Sequence, residues 1–266
     1  MRNGQSEESD WWCNRWIDIG PYRVNSLWHC FGVEREVVDL ATAVEMLEAS
    51  RTALLPINTH RLRSGPTPEN LVVGHGEVTL ERLSRATDVT SMVPCLNINL
   101  QTTAAAAVEL AITARELSGI SLLKLEVLTA DLKRSADCEV IKAVDALNAK
   151  GGFTIMPLIS ADLGVATELV RGLGVPLLRV MGSPIGSGRG IADKSAIEAI
   201  AALGVPVIVD GGIGSVDDFL DGMRHRASGG LINSLLFRSN RPAEAMRRFV
   251  AGLRSARFVP PVAPAS

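Results

Sequence analysis

Residues 122–128 read Leu-Leu-Lys-Leu-Glu-Val-Leu. The composition is that of a buried β-strand, yet the run carries Lys124 and Glu126. Residues two apart on a strand point to one face. In a barrel strand that face is the filled interior or the helix-covered outside, and both are poor places for unpaired charge. One reading is a structural Lys–Glu ion pair at the strand's end. The other is a catalytic lysine. Among leucines its ammonium is disfavoured, which frees a nucleophilic amine to form an imine with a carbonyl. Glu126 would then move protons.

Outward from this strand, short aliphatic runs alternate with longer amphipathic ones. Strands are expected over Val24–Phe31, Ala53–Ile57, Ser91–Leu96, Leu122–Leu128, Phe153–Ile159, Leu177–Met181, Val205–Val209 and Gly230–Ser234. Helices are expected over Arg35–Ala49, Leu80–Ala86, Thr103–Leu117, Glu139–Asn148, Asp162–Leu173, Lys194–Ala202, Val216–Met223 and Ala243–Leu253. Eight βα units are the number that closes a TIM (β/α)8 barrel, and 266 residues suit one such domain. A doubly wound sheet is the rival, but HCFGVERE stands where its glycine fingerprint belongs. We expect a flexible segment over 1–15, the barrel over 16–255 and a Pro/Ala-rich tail over 256–266.

Composition narrows the function. Lys+Arg 27 against Asp+Glu 29 gives a formal charge of -2, so no basic face for nucleic acid is expected. Aromatic residues at 4% disfavour a base-stacking platform. No apolar run is long enough to span a membrane and no secretory signal opens the chain, so a cytoplasmic protein is expected. Cys13, Cys30, Cys95 and Cys138 form no CxxC pair and read as reduced thiols. The four histidines lack metal-ligand spacing; neither metal nor cofactor is expected.

Further chemistry gathers at the ends of the late strands, where barrels carry their active sites. Asp210 follows Val205–Val209 and is a second acid–base candidate, or a cap on the next turn. Three glycine- or amide-bearing loops suit a phosphate: Gly182-Ser183 opening a run to Gly190, Gly212 and Gly214 after Asp210, and Asn233-Ser234 after the last strand. Glycine lets backbone N–H groups approach an anion closely. Tight turns are the plainer explanation for any one of these loops.

In this order the motifs resemble the thiazole synthase family. KLEV at 124–127 is similar to that family's imine-forming strand, MGSPIGSGRGI at 181–191 to its phosphate loop, PVIVDGGIG at 206–214 to its second acid–base segment, and LINS at 231–234 to its Val-Asn-Thr phosphate contact. The resemblance implies a TIM barrel, an imine at Lys124 with a phosphorylated carbonyl compound, and proton transfers by Glu126 and Asp210. It also implies a sulfur donor, a ubiquitin-like carrier protein ending in a thiocarboxylate. A homo-oligomer is expected.

Two segments depart from the family. LLPINTHRL at 54–62 stands where the family has Val-Ala-Met/Val-Arg-Arg, and LNINLQTT at 96–103 where it has Leu-Pro-Asn-Thr-Ala-Gly. The machinery for imine and phosphate is kept while the mouth is changed. That pattern points to a paralogue working on another sugar phosphate, and the resemblance extends to natural-product enzymes that place sulfur on C2 of a hexose phosphate such as glucose 6-phosphate, making a 2-thiosugar. Thiazole formation from 1-deoxyxylulose 5-phosphate is the alternative. A non-catalytic sugar-phosphate sensor and an imine aldolase or isomerase are readings from other classes.

Overall fold

The computed structural model describes residues 10–33, 35–256 and 258. Residues 1–9 and 259–266, most of the two expected end segments, lie outside the described residues. Eight parallel strands build the barrel: β1 (Leu27–His29), β2 (Leu54–Asn58), β3 (Val93–Gln101), β4 (Leu122–Val127), β5 (Thr154–Ile159), β6 (Leu178–Val180), β7 (Val207–Asp210) and β8 (Gly229–Ile232). Their hydrogen-bonded order is β1-β8-β7-β6-β5-β4-β3-β2. The TIM-barrel expectation holds.

Helices return the chain between strands: α1 (Leu40–Ser50), α2 (Leu80–Ala86), α3 (Ala104–Ser118), α4 (Asp137–Lys150), α5 (Leu163–Thr167), α6 (Lys194–Ala201), α7 (Val216–Arg224) and α8 (Pro242–Ser255). Caps set their starts. Asp39, Thr79, Thr103, Asp162, Asp193 and Ser215 each accept a hydrogen bond from a first-turn backbone N–H. Helix α3 ends at Gly119 in the left-handed conformation. Helix α5 continues into a π turn over Glu168–Gly172.

Most boundaries lie within two residues of the sequence expectation, and three stretches depart further. The run 24–31 is not one strand. Tyr22–Asn25 pairs antiparallel with Trp16–Ile19 in a hairpin, and only Leu27–His29 joins the barrel. The expected helix from Arg35 begins at Leu40, after a loop that lines the barrel mouth. Strand β3 runs on to Gln101, five residues past the expected end at Leu96.

Alternation sorts the side chains into two cores. Leu123, Leu125 and Val127 of β4 face outward and pack with Val140, Ala143, Val144 and Leu147 of α4. Leu122 faces inward with Trp28, Leu54, Cys95, Met156, Leu177 and Ile208, and Ile17, Ile19 and Val24 of the hairpin pack in the same cluster. The hairpin thus plugs the barrel floor. Within the leading segment, Trp11–Asn14 form a helical turn with Trp12 fully buried. Asp10 pairs with Arg254 at 2.6 Å and Arg51 at 3.2 Å, tying that turn to the last helix.

Strands β1 and β2 share no backbone ladder. At the floor end Asn25 bridges them: its Oδ1 accepts from Ala53 N–H at 3.0 Å and its Nδ2 donates to Arg51 O at 2.6 Å. At the mouth a small hairpin, Val72–Val73 with Val78–Thr79, pairs with β2 at Asn58. Its Gly74 lies against Phe31 beyond β1; a Cβ there would come within 2.9 Å of the Phe31 Cβ. The barrel is closed by a side chain and a wedge.

Candidate functional site

The inward face that begins at Leu122 continues to Lys124 and Glu126, and the same parity carries Asn97 on β3, Arg179 on β6 and Asp210 on β7 to the barrel interior. Register brings them level: Asn97 is paired with Lys124, Lys124 with Met156, and Arg179 with Leu158 and Ile208. All five polar residues are buried.

They form one connected array. Lys124 Nζ donates to Glu126 Oε1 and, at 3.1 Å, to Asn97 Oδ1. Asn97 Nδ2 donates to Asn58 Oδ1 at 2.6 Å, and Asn58 Nδ2 donates to Gly74 O at 2.6 Å. On the other side Arg179 Nη2 reaches Glu126 Oε1 at 2.6 Å and Asp210 Oδ2 at 2.5 Å, while its Nε donates to Asp210 Oδ2 at 2.7 Å. Arg179 Nη1 donates to the Leu125 and Met156 carbonyls, each at 3.3 Å. Lys124, Arg179, Glu126 and Asp210 balance in charge, which is how four ionisable groups tolerate a barrel interior.

Arg179 was not among the residues singled out from the sequence. The signal was the one that marked Lys124, a lone charge inside an aliphatic run, here Leu177–Met181. The structure also revises the expected state of the lysine. Burial and the Arg179 cation favour loss of its proton, but the acidic neighbours Cys30, Glu126 and Asp210 outweigh them and its pKa lies above the ordinary lysine value. Burial works to raise the Glu126 pKa, yet Lys124 and Arg179 together hold it below the usual carboxylate range. The resting pair is ammonium and carboxylate.

Above the array opens a cavity of about 650 Å³. Lys124, Glu126 and Asp210 stand on its wall, with Asn58, Asn97 and Asn99 on one side and Gly211, Gly212, Asn233 and Ser234 on another. Arg35 and Lys133 add positive charge to the lining. Of the expected phosphate residues, Gly212, Asn233 and Ser234 reach the cavity, while Gly182, Ser183 and Gly214 pack behind. Gly182 N–H donates to Gly211 O at 3.2 Å, Ser183 Oγ shares a 2.9 Å hydrogen bond with Ser187 Oγ, and Gly214 N–H donates to Asp218 Oδ2 at 2.9 Å. Asn233 ties β8 to the loop after β1, its Oδ1 accepting from Gly32 N–H at 2.9 Å. Gly212 is required where it stands: its φ is +90°, and a Cβ would lie 2.2 Å from Ser183 Oγ.

Cys30 also lines the cavity, but burial keeps its thiol pKa high. Burial likewise pushes Cys95 to about 12 and Cys13 to about 11, so none of these three is an activated thiolate. Among the described residues no cluster of metal-ligating side chains forms, and no helix is long and apolar enough to cross a membrane.

Known proteins bear on this geometry. The family described as thiazole biosynthesis protein ThiG matches residues 35–260. A thiazole synthase of Aliarcobacter butzleri is 32% identical over 238 residues, covering 87% of this chain and 86% of that protein. A thiazole synthase of Frankia casuarinae is 37% identical over 158 residues, which are 58% of this chain and 46% of that longer protein. Among solved structures, the Amycolatopsis orientalis BexX/CysO complex aligns with a TM-score of 0.73 and 28% identity, covering 93% of this chain and 98% of the matched one. A family match that runs from residue 35 to residue 260, taking in every barrel strand after β1, makes this chain a member of the thiazole synthase family, a family of sulfur-transferring enzymes.

Proposed function

We propose that this protein is a sulfur-incorporating synthase that makes a 2-thiosugar phosphate from a hexose phosphate. Lys124 forms an imine with the sugar carbonyl, and a carrier protein's thiocarboxylate supplies sulfur. The observation that carries this reading is the placement of the segments departing from the family. Asn58 and Asn97 belong to those segments, line the cavity and hydrogen-bond toward Lys124. Asn99 belongs to the same segments and also lines the cavity, and its amide suits a hydroxyl-rich chain, since an amide offers a donor and an acceptor.

The array supplies the proton steps. The Lys124 ammonium passes a proton to Glu126, the amine adds to the carbonyl carbon, and water leaves as the imine forms. The array stays balanced, because one cation and one anion are neutralised together. Arg179 cannot give up its proton and so keeps Glu126 and Asp210 in place. A proton shift between C1 and C2, with Glu126 and Asp210 as acid and base, turns C2 into a carbonyl that accepts sulfur. Gly212, Asn233 and Ser234 hold the phosphate, with Gly182, Ser183 and Gly214 shaping the loops behind, and Arg35 and Lys133 favour anions at the mouth. A partner protein accords with the neighbour solved as a complex of two proteins. The raised pKa values of Cys13, Cys30 and Cys95 support a donor from outside.

The test is borohydride trapping followed by peptide mass spectrometry. Glucose 6-phosphate is expected to leave a reduced sugar adduct on Lys124, and Lys124→Ala to carry none. Product should then require a thiocarboxylated carrier. An adduct that persists in Lys124→Ala refutes the imine assignment. Adduct with 1-deoxyxylulose 5-phosphate alone moves the protein to thiazole formation. Turnover with free sulfide and no carrier binding removes the carrier.

A further inference from the structure

Strand β3 does not end cleanly. Its register against β4 shifts between Ile98 and Gln101, the mark of a bulge, and Leu100 inside it has a left-handed backbone with φ 59°. A leucine adopts that conformation only where its surroundings enforce it. Here they do. Arg63 Nη2 donates to Leu100 O at 3.4 Å and to Gln101 Oε1; Gln101 Nε2 donates to Asn99 O at 2.7 Å; and Gln101 O accepts from Leu128 N–H at 2.8 Å. The bulge spends its own polar groups on holding its shape.

One polar group is left over. Asn99 is more than nine-tenths buried and stands on the cavity wall beside Asn97 and Leu100. Its Oδ1 is dry and has no hydrogen-bond partner among the described residues. Buried amides are normally satisfied, so an orphan on the wall of the functional cavity marks a place for a ligand. Asn58 and Asn97 differ in this respect: each spends its amide on protein partners.

We propose that Asn99 is a specificity-determining residue whose side-chain amide hydrogen-bonds a hydroxyl of the bound sugar phosphate. This rests on the sugar-phosphate reading given above. The amide offers an acceptor and two donors, and a turn about its last side-chain bond presents either to a hydroxyl. The ligand it selects is a chain bearing a hydroxyl on the β3 side of the imine carbon. An analogue lacking that hydroxyl leaves the amide unpaired in a dry place, and a site built this way rejects such analogues strongly.

The experiment measures half-saturation for borohydride-trapped adduct at Lys124. It uses glucose 6-phosphate, its 2-, 3- and 4-deoxy analogues, and 1-deoxyxylulose 5-phosphate, on wild type, Asn99→Ala and Asn99→Ser, with melting temperatures checked. In wild type one deoxy analogue is expected to bind about 10–100-fold more weakly than its parent, the usual range for a lost hydrogen bond in a dry site. Asn99→Ala should weaken the parent by the same factor and leave that analogue unchanged, and Asn99→Ser should recover part of the loss. Equal weakening of every analogue by Asn99→Ala, or no change for the parent, overturns the role of Asn99 while the sugar-phosphate reading stands. Trapping of the pentose phosphate alone overturns the hexose assignment, and loss of its trapping in Asn99→Ala then still supports Asn99. No adduct with any of these compounds overturns both.

Discussion

Lys124 is pulled two ways, and the balance determines how its chemistry depends on pH. Burial and Arg179 depress its proton affinity, while the acidic groups beside it raise that affinity further. In the reaction proposed above, the amine would therefore be released by local transfer to Glu126 and not by bulk titration near neutrality. Glu126→Gln removes one raising influence and leaves both lowering ones. The pH midpoint for imine trapping should move downward relative to wild type, while turnover falls about 10²–10⁴-fold for want of the proton acceptor. A midpoint that stays put would show that Glu126 does not set the lysine's proton affinity. Lys124, Glu126 and Asp210 were legible as charges in or just after aliphatic runs. The free amine was misjudged because burial can be read along one strand. The compensating carboxylate of Asp210 lies on another strand, joined through Arg179. That juxtaposition exists only once the barrel has closed.

Elements were legible where hydrophobic period and caps agree, and less so where a polar wall interrupts the period. Helices α2 and α3 sit where Thr79 and Thr103 begin them. Strand β3 was expected to stop at Leu96, and asparagine, which follows at 97 and 99, is a poor strand former. Asn97 and Asn99 are instead part of the cavity wall, and the strand passes through them to Gln101. The run 24–31 held two elements because Ser26 turns the chain from plug to barrel, its Oγ donating to Trp12 O at 3.0 Å. The bulge on β3 carries a cost that can be measured. A left-handed non-glycine residue is disfavoured by about 1–2 kcal/mol, and glycine would relieve much of it. Leu100→Gly should raise the melting temperature by roughly 2–4 °C per kcal/mol recovered for a domain of this size. A fall of several degrees would mean that the leucine's packing outweighs its backbone.

For the whole molecule, eight βα units gave the architecture from rhythm alone, but not the manner of closure. Periodicity reports which residues face inward; it is silent on which two strands meet last. Here these are the first two, and the closing pieces are Asn25 at the floor and the Val72–Thr79 hairpin at the mouth. Neither reads as a barrel element in sequence, since one is a single side chain and the other lies in a Pro/Gly-rich loop. The wedge has a role beyond closure, because it delivers His75 to the cavity and holds Asn58 through Gly74.

Seven of the eight joints between strands are ladders of backbone hydrogen bonds; the eighth is a slit laced by side chains. Native-state opening runs through the least protected joint first. Amide deuterium uptake should therefore be faster along the facing edges of β1 and β2 than across the β4–β5 pair, and Asn25→Ala should widen that difference. Uniform protection around the ring would contradict it. Such a slit makes the cylinder behave as a split ring. Its circumference has one place where widening breaks no backbone ladder, on the side of the cavity lined by Cys30 and Asn58.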